Sequence, residues 1–570
     1  MKLYVEAQYA SSPPRGWNSY DSFSWTISEK EFLDSAQFIS DRLLSSGYEY
    51  VVVDYLWYRR KVEGADADSS GFDVIDEWGR MVPDPDRWPS SVNGNGFTEV
   101  ANKVHSMGLK FGIHVMSGIS TQAVNANTLI LESKSSGEAF EEGRKKWTAQ
   151  DIGIKERPCS WMPHGFMARA GAAFLRSLYT QYAEWGVDLV KHDCVFGGDL
   201  DIDEISVVSE VLKQLDHPIL YSLSPGTRAT PAMAKDVSGL VNMYRITGDD
   251  WDSWENLVPH FDVSRDFAAA NMIGATGLKG KSWPDLDMLP LGWLTDPESN
   301  EGPHRTTNLT PDEQKSQVTL WSMAKSPLMF GGDVRNLDNA TYDLITNEIV
   351  LEINSFSSNN MEFPYVTNGA RSWIATGRDG EVYLAFFNVN TDQTEITAMT
   401  SDMAKGHWAL KPIIYVYNGP KAQATDRRCS RRESSRDSCA WYASIFGYWY
   451  VRYTFTLYVS YVYRTGDSLP RSLSREEQEE LVRSKKKVKD VSHVGFQGGQ
   501  EVGTELPSSG QGAWSGSAFF NDKLVGEIPG AFSQAFCFGD SMDEEVISDE
   551  VVETIREGLV AVRFPRELKR

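Results

Sequence analysis

The chain has little cysteine, fewer basic than acidic residues and no apolar stretch near its start. Five cysteines among 570 residues, with no CxxC pair, exclude a disulfide scaffold, a zinc knuckle and a thioredoxin-type redox motif. Lysine and arginine number 56 against 79 aspartates and glutamates, a formal net charge of -23. That charge argues against a general binder of nucleic acid or anionic membrane, because the summed field repels polyanions. The opening MKLYVEAQYASSPPRGW has no apolar segment after its lysine, so no secretory signal is expected.

Aromatic residues, in contrast, are plentiful. The chain carries 18 Trp and 23 Tyr, and aromatic faces suit flat ligands such as sugar rings. With 41% hydrophobic and 24% charged residues, most of the chain is globular. Its length exceeds what one ordinary core supports, so two or more domains are expected.

Short apolar runs alternate with amphipathic segments over residues 1–355, which predicts a (β/α)₈ barrel. The strands are expected at Tyr50–Val53, Lys110–Val115, Leu189–His192, Ile219–Leu223, Met243–Arg245 and Leu328–Phe330, with weaker ones at Gly16–Trp17 and Leu286–Met288. The helices are expected at Glu29–Ser46, Phe97–Met107, Arg169–Trp185, Asp201–Leu215, Trp254–Met272 and Pro311–Lys325. Functional residues of such barrels lie at the carboxyl ends of the strands.

The second part of the chain has a different pattern. RSWIATG and EVYLAFFNV alternate with period two around Arg378-Asp379-Gly380, which predicts a β-hairpin in a truncated antiparallel β-domain over 356–420. An irregular segment that is first arginine-rich and then aromatic follows over 421–470. Residues 471–570 have low hydrophobicity and charge blocks, which predict a mostly disordered tail.

One aromatic run, Trp441–Tyr463, is long enough to span a bilayer. It is rich in tyrosine rather than leucine and carries Arg452 at its centre, and an intramembrane arginine costs a few kcal/mol. We therefore favour no membrane partner, with a membrane anchor kept as an alternative.

Carboxylates follow several of the predicted strands. They are Asp54, Asp193, Asp249, Asp250, Asp285 and Asp287. A single aspartate at a strand end is often a helix N-cap, but several on one barrel edge are harder to explain in that way. Lys191 lies two residues before Asp193, so both side chains face the same side of a strand. A cation there would keep the carboxylate ionised and fit for nucleophilic attack, and paired carboxylates are what glycoside hydrolysis requires.

An ordered set of motifs over about residues 13–400 resembles the α-galactosidase (melibiase) family, family twenty-seven of the glycoside hydrolases, of plant type. The motifs are PPRGWNSYDSF, GYEYVVVD, GLKFGIH, DLVKHDC, YRITGDDWDSW, SWPDLDML and SMAKSPLMFGGD. The resemblance implies a retaining exo-glycosidase, with a (β/α)₈ barrel followed by a β-sandwich, that needs no cofactor and no metal.

The resemblance also assigns roles to residues. Asp193 falls on the nucleophile and Asp249 on the acid/base. The family's sugar contacts fall on Trp17, Asp54, Lys191, Arg245 and Asp287. Cys194 falls on a cysteine that usually bonds to one in the preceding loop, here Cys159. The partners implied are galactose- or L-arabinopyranose-containing oligosaccharides and glycans, with no nucleic acid for the barrel. The resemblance implies a protein that is secreted or resides in the cell wall or the vacuole.

Three positions of the expected pocket depart from the family pattern. Tyr55 stands where many members have a second aspartate, His114 stands where tyrosine is common, and Ser224 lies where galactose and N-acetylgalactosamine are distinguished. The catalytic pair is intact, so an α-D-galactosidase is the leading hypothesis. Tyrosine in place of aspartate also suits a β-L-arabinopyranoside, whose sugar is galactose without its C6 hydroxymethyl. That activity, or a dual one, is the alternative.

The end of the chain raises another possibility. REEQEELVRSKKKVKDVSHVGF and DEVVETIREGLVAVRFPRELKR resemble the leader of plant retroelement reading frames. The chain would then be a gene-model fusion with an interrupted β-domain, inactive or misfolded and carbohydrate-binding at most.

Overall fold

A computed structural model describes residues 9–133, 138–142, 145–153, 169–363, 370–378 and 382–390. Beyond these it describes only short strands, at Thr394–Met399, Thr454–Val459, Phe519–Phe520, Lys523–Leu524 and Val560–Phe564. The chain divides into two compact units, Met1–Phe356 and Ser357–Arg570.

Eight parallel strands form a ring in the first unit. They are β1 (Arg15–Asn18), β2 (Tyr50–Val53), β3 (Lys110–Met116), β4 (Leu189–Phe196), β5 (Leu220–Pro225), β6 (Met243–Arg245), β7 (Gly280–Asp285) and β8 (Leu328–Phe330). Each strand from β1 to β6 pairs with the next, and β8 pairs with β1. Leu289, just after β7, closes the ring by pairing in parallel with Phe330. The predicted (β/α)₈ barrel is therefore confirmed.

The strand β7 lies earlier in the chain than the sequence suggested. The apolar residues pointed to Leu286–Met288, whereas Gly280–Asp285 forms the strand that pairs with β6. Lys281 and Ser282 interrupt the apolar run in this strand and so conceal it. Ala275–Gly277 extends the sheet as an antiparallel edge strand beside β7.

Helices connect the strands. The α-helices are Tyr20–Phe23, Glu29–Arg42, Thr98–Ser106, Thr121–Ala126, Ala149–Ile152, Arg169–Trp185, Ile202–Gln214, Pro231–Val237, Trp254–Leu257, Pro259–Ala269, Pro311–Met323, Asn339–Ile345 and Glu348–Phe356. Short 3₁₀ turns lie at Leu44–Ser46, Pro89–Gly94, Ser238–Leu240 and Val334–Asn336. Two-residue or three-residue strands lie at Leu131–Ser133, Glu138–Ala139, Glu141–Glu142, Lys145–Lys146, Trp293–Leu294 and Arg305–Thr306.

Local sequence explains where several helices begin and end. Ser28 and Glu31 form a reciprocal capping box at the start of Glu29–Arg42, which satisfies backbone donors left free by the first turn. The single helix expected over Trp254–Met272 is two helices. Pro259 begins the second one, because proline lacks a backbone donor and fits the first turn rather than the interior of a helix.

Apolar side chains fill the interior of the barrel below the site. They form one cluster of Tyr50, Val52, Leu189, Leu220, Met243, Trp283, Met288 and Met329. A packed interior of this kind makes the barrel a rigid scaffold, so its chemistry is confined to the strand ends and their loops.

The second unit contains an antiparallel sheet. Its first three strands are β9 (Ser358–Glu362), β10 (Arg371–Thr376) and β11 (Val382–Phe387), and the β10–β11 pairing confirms the predicted hairpin. Val560–Phe564 pairs with the other side of β11, so five residues of the tail expected to be disordered form a strand. The rest of that tail, apart from Phe519–Phe520 and Lys523–Leu524, lies outside the described residues.

The aromatic run Trp441–Tyr463 is described only at Thr454–Val459, a strand paired with Thr394–Met399. Among the residues that the structure describes, no helix combines the length and apolar character needed to cross a membrane.

Arg87 ties together the loops that follow β1 and β2. Its buried guanidinium donates hydrogen bonds to the carbonyls of Trp25, Ile27, Leu56 and Arg59. We expect Arg87→Lys to lower the free energy of unfolding by about 3 kcal/mol, because one ammonium cannot replace a planar fork and leaves buried carbonyls unpaired.

Chemical denaturation of the purified variant would measure this loss. Arg42→Lys, at an exposed position, is the matched control. Equal free energies of unfolding for the two variants would show that the hydrogen bonds of the Arg87 guanidinium do not stabilise the loops.

Candidate active site

The barrel gathers seven of the predicted site residues at the carboxyl ends of its strands. They are Asp54, His114, Lys191, Asp193, Ser224, Arg245 and Asp287. These residues come from six different strands or the turns that follow them. Parallel strands of a closed barrel all end at one edge, and this alone brings together side chains that lie far apart in the sequence.

Asp193 is held as a carboxylate from several sides. His114 Nε2 lies 3.0 Å from its Oδ2, and the backbone amide of Cys194 donates to Oδ1 at 2.7 Å. Burial alone would raise the pKa of Asp193, but His114, Lys191 and Ser224 outweigh burial and hold the pKa well below its usual value. A carboxylate that stays ionised and keeps part of its surface open, with 21% of the side chain exposed, suits nucleophilic attack.

Lys191 forms an ion pair with Asp54, and its charge also acts on Asp193. Its Nζ lies 3.0 Å from Asp54 Oδ2, and Asn18 also donates to that oxygen. Burial acts to raise the pKa of Asp54, yet Lys191 and His114 lower it overall. Burial acts to lower the pKa of Lys191, and Asp54 with the neighbouring carboxylates raises it. This pair is therefore fully charged, and it presents fixed hydrogen-bonding groups to a polar ligand.

Arg245 holds two aspartates at once. Its NH1 nitrogen lies 2.7 Å from Asp287 Oδ1 and its NH2 nitrogen lies 3.1 Å from Asp249 Oδ1. NH2 also donates to the carbonyl of Gly248 at 2.7 Å. The Arg245 side chain is only 3% exposed, whereas that of Asp249 is 67% exposed. The guanidinium therefore fixes Asp249 at the open side of the site.

The two predicted catalytic carboxylates differ in their surroundings. Asp193 lies among buried charged partners, and Asp249 is anchored by Arg245 but faces solvent. Different environments allow two carboxyl groups to take different roles in one reaction.

Three further carboxyl groups lie buried around this site. Burial raises the pKa of Asp285 to about 6, with Asp287 adding to the effect. Burial also raises the pKa values of Asp250 and Asp21 well above the usual range. Gln317 Nε2 donates to Asp250 Oδ2 at 2.8 Å. The sequence pointed to Asp250 and Asp285 as strand-end residues but missed Asp21, which lies in the short helix Tyr20–Phe23 that follows β1.

Aromatic side chains line the site from its nucleophile to its open side. The ring of Tyr55 meets His114 edge-on at 5.6 Å. Tyr20 packs against Tyr55 at 6.0 Å and against Trp251 at 5.9 Å. All three aromatic residues are partly exposed. Tyr20 gave little signal in the sequence, since only its position two residues after the end of β1 pointed to the site.

Trp17 and Ser224 lie deeper than the other predicted contacts. Trp17 is fully buried and donates its indole N–H to the carbonyl of Gly332 at 2.8 Å. It supports the base of the site. Direct contact between Trp17 and a sugar stays a prediction, and the complete burial of the side chain argues against it. Ser224 is also buried, and it lies close enough to Asp193 to help lower the pKa of that carboxyl.

The structure describes one of the two cysteines of the predicted disulfide. Cys194 is disulfide-bonded, and it follows Asp193 directly. The expected partner, Cys159, lies outside the described residues, so the pairing stays a prediction. The described part of the chain contains no group of three His, Cys, Asp or Glu side chains arranged to hold a metal ion.

The buried Asp285 gives the unfolding free energy a pH dependence. Its pKa of about 6 in the fold exceeds the value near 3.9 of an unfolded chain. The contribution of Asp285 to the free energy of unfolding is therefore fully present below about pH 4, where its carboxyl is protonated. This contribution is lost as the pH rises through about 6. Between about pH 4.5 and 7.5, the free energy of unfolding of the wild type should fall by on the order of 2 kcal/mol relative to that of Asp285→Asn.

Urea unfolding at several pH values would measure this difference. Asp236→Asn, at an exposed position, is the matched control for charge removal. A constant difference between the wild type and Asp285→Asn across this range would contradict the prediction.

A parallel-strand barrel with an ionised aspartate and an arginine-held aspartate at its carboxyl edge is the framework of a glycosidase. The sequence profile of the family described as alpha galactosidase A (Melibiase_2) matches residues 18–141 and 140–356, more than half of the chain. The chain therefore belongs to the α-galactosidase A (melibiase) family of glycoside hydrolases.

Curated relatives and solved structures agree with this assignment. The α-galactosidase of Cyamopsis tetragonoloba is 26% identical over 407 residues, 70% of this chain and 79% of that protein. The α-galactosidase of Coffea arabica is 27% identical over 396 residues, covering 69% and 83%. A family 27 β-L-arabinopyranosidase from Geobacillus stearothermophilus superposes with a TM-score of 0.64 at 29% identity, covering 81% of this chain and 98% of that one.

Proposed function

We propose that the protein is a retaining exo-glycosidase that removes terminal α-D-galactosyl residues. The observation that carries the proposal is the paired arrangement at the carboxyl edge of the barrel. Asp193 is kept ionised by His114 and Lys191, and Arg245 holds Asp249 at the open side. The names of the plant relatives support galactose as the sugar.

The proposed reaction uses two displacements. Asp193 attacks the anomeric carbon while Asp249, protonated, gives its proton to the departing glycosidic oxygen. A covalent glycosyl-enzyme forms, and the leaving group departs with the proton. Asp249, now a carboxylate, removes a proton from water, and the hydroxide oxygen attacks the anomeric carbon and releases Asp193. Two inversions give a product with the anomeric configuration of the substrate.

Other charged groups position the sugar in this proposal. The Lys191–Asp54 pair offers a donor and acceptors whose geometry is fixed by buried hydrogen bonds. Arg245 forms ion pairs with both Asp287 and Asp249 and so fixes the positions of the two carboxylates. Because these groups are already ordered and desolvated, they need little reorganisation when charge develops at the anomeric centre.

A second substrate, a β-L-arabinopyranoside, is favoured by Tyr55. Its ring lies partly exposed between His114 and Tyr20, where many family members have an aspartate. A tyrosine ring is larger and less polar than an aspartate, and it suits a pyranose that lacks the hydroxymethyl group. A variant of the Geobacillus stearothermophilus enzyme was solved with arabinose, at 32% identity and a TM-score of 0.62 over 72% of this chain and 91% of that one.

Release of p-nitrophenol from the two aryl glycosides would test the function and rank the substrates. Proton NMR of the first product formed would read its anomeric configuration, and retention is expected. No turnover of either substrate by protein with a cooperative thermal melt would overturn the proposal.

A further inference from the structure

A buried glutamate lies directly behind the proposed nucleophile. Glu204 belongs to the helix Ile202–Gln214, which follows β4, and its side chain is completely shielded from solvent. The N-cap residue Asp201 accepts a hydrogen bond from the Glu204 amide at 3.1 Å, and the amide of Asp201 donates to the carbonyl of Val195 at 2.9 Å. These two bonds fix the start of the helix against the end of β4, so the strand that carries Asp193 also sets the position of Glu204.

The Glu204 carboxylate joins the ends of two neighbouring strands. Its Oε2 accepts a hydrogen bond from the Ser117 hydroxyl at 2.8 Å, and its Oε1 accepts one from the Gly118 amide at 3.0 Å, just after β3. On β4, His192 Nε2 lies 3.3 Å from the same Oε1, and His192 Nδ1 lies 2.8 Å from the Tyr221 hydroxyl. All of these groups are buried. Because a buried donor without an acceptor costs free energy, the carboxylate keeps these strand ends together.

The backbone beside the nucleophile departs from a regular strand. The pairing of β4 with β5 shifts register between His192 and Phe196, so β4 contains a bulge at this point. Within the bulge, Cys194 takes the left-handed conformation with φ of 63°, and its amide donates to Asp193 Oδ1 at 2.7 Å. Residues other than glycine keep such a conformation only where their surroundings hold it. The disulfide at Cys194 is one such support, and the contacts of Glu204 are a second.

Ser117 links Glu204 to the peptide group of the nucleophile. Its amide donates to the carbonyl of Asp193 at 3.0 Å, while its hydroxyl donates to Glu204. From the other direction, His192 directly precedes Asp193 and faces Glu204, because successive side chains of a strand point to opposite sides. Glu204 therefore contacts both the residue before Asp193 and the residue that binds the carbonyl of Asp193.

We propose that Glu204 is a positioning residue for the nucleophile. Through Ser117 and His192 it holds the bulge of β4 in the form in which the Cys194 amide meets Asp193 Oδ1. It thereby fixes the direction of the carboxylate that attacks the anomeric carbon. A misplacement of about 1 Å between reacting atoms costs on the order of 10²-fold in rate. This inference rests on the proposed function and adds to it a completely buried residue on which the rate depends.

A dinitrophenyl α-galactoside would measure the attack of Asp193 alone, because its leaving group departs without a proton. In Glu204→Ala with a cooperative thermal melt, kcat/KM for this substrate should fall about 10²-fold. The Kd of galactose, measured by calorimetric titration, should stay within about two-fold, because Glu204 is buried and does not reach the sugar. Glu204→Gln should recover about ten-fold of the lost rate, because its amide oxygen still accepts one of the two hydrogen bonds.

Asn354→Ala is the matched control for loss of a buried polar side chain. Asn354 is equally buried, and it bonds to Arg15 and Ser326 at the amino ends of β1 and β8. Its removal therefore breaks buried hydrogen bonds at the edge of the barrel opposite the site. This variant should have a lower free energy of unfolding, with kcat/KM per folded molecule and the galactose Kd unchanged.

Three results would overturn the inference: unchanged kcat/KM in folded Glu204→Ala, an equal loss in Asn354→Ala, or a galactose Kd that weakens as much as kcat/KM falls. If Glu204→Ala gives no cooperative melt, Glu204→Gln takes its place, with an expected loss of about ten-fold. A wild type that neither turns over the glycoside nor binds galactose would instead overturn the proposed function. Crystal structures of the wild type and the Glu204 variant then decide the positioning role. A changed backbone at Cys194 supports it, and an unchanged one, with the amide still on Asp193 Oδ1, rejects it.

Discussion

Asp193→Asn should reduce hydrolysis of every substrate by a factor on the order of 10⁴ or more, as expected when a nucleophile is removed. An amide of nearly the same size keeps the shape of the side chain but cannot attack the anomeric carbon. The free energy of unfolding should also fall, because the amide lacks the charge that His114 and Lys191 stabilise in the fold. Stopped-assay measurement of p-nitrophenol, together with a thermal melt, would check both expectations.

Azide provides a sharper test of the role of Asp193. In Asp193→Gly the space of the missing carboxylate admits a small anion, which attacks from the same face in a single displacement. The product should be a glycosyl azide of inverted configuration, and the rate should rise with azide concentration. Asp203→Asn, at an exposed position, controls for loss of a carboxylate. Residual activity of Asp193→Asn equal to that control would rule out a nucleophilic role.

The barrel could be predicted because its signals are local. Alternation of apolar runs with amphipathic segments is visible within short windows, and the rule that active residues follow parallel strands then points to Asp54, Asp193 and Asp249. The predicted position of β7 was wrong for a local reason as well, since Lys281 and Ser282 interrupt the apolar run of this strand. The break at Pro259 was readable but was passed over within a longer amphipathic pattern.

The environment of each residue could not be predicted from the sequence in the same way. His114 lies 79 positions before Asp193, and only the pairing of β3 with β4 places the two side chains in contact. The resemblance to a family assigned the role of Asp193, but the hydrogen bond from His114 that lowers its pKa depends on tertiary structure. The hydrogen bond from Trp25 to Asn300 joins residues 275 positions apart and likewise gave no signal in the sequence.

Asp249→Ala should impair the enzyme in a way that depends on the leaving group. With a disaccharide, the departing alkoxide needs a proton, and kcat/KM should fall by about 10²–10⁴-fold. With a dinitrophenyl glycoside, the leaving group departs without assistance, so formation of the glycosyl-enzyme should remain fast. Its hydrolysis should become slow because the base that activates water is missing. A burst of dinitrophenol followed by slow turnover would reveal the trapped intermediate.

Azide should then act in the opposite stereochemical sense from its action on the Asp193 variant. In Asp249→Ala the anion attacks the glycosyl-enzyme, so the product is a glycosyl azide of retained configuration. The 67% exposure of the Asp249 side chain leaves an open path for azide to that face of the sugar. Asp262→Asn, 61% exposed on a helix behind the site, is the control and should show neither a burst nor azide activation. Equal losses with good and poor leaving groups would contradict the acid/base role, because only a proton donor makes the loss depend on the basicity of the departing oxygen.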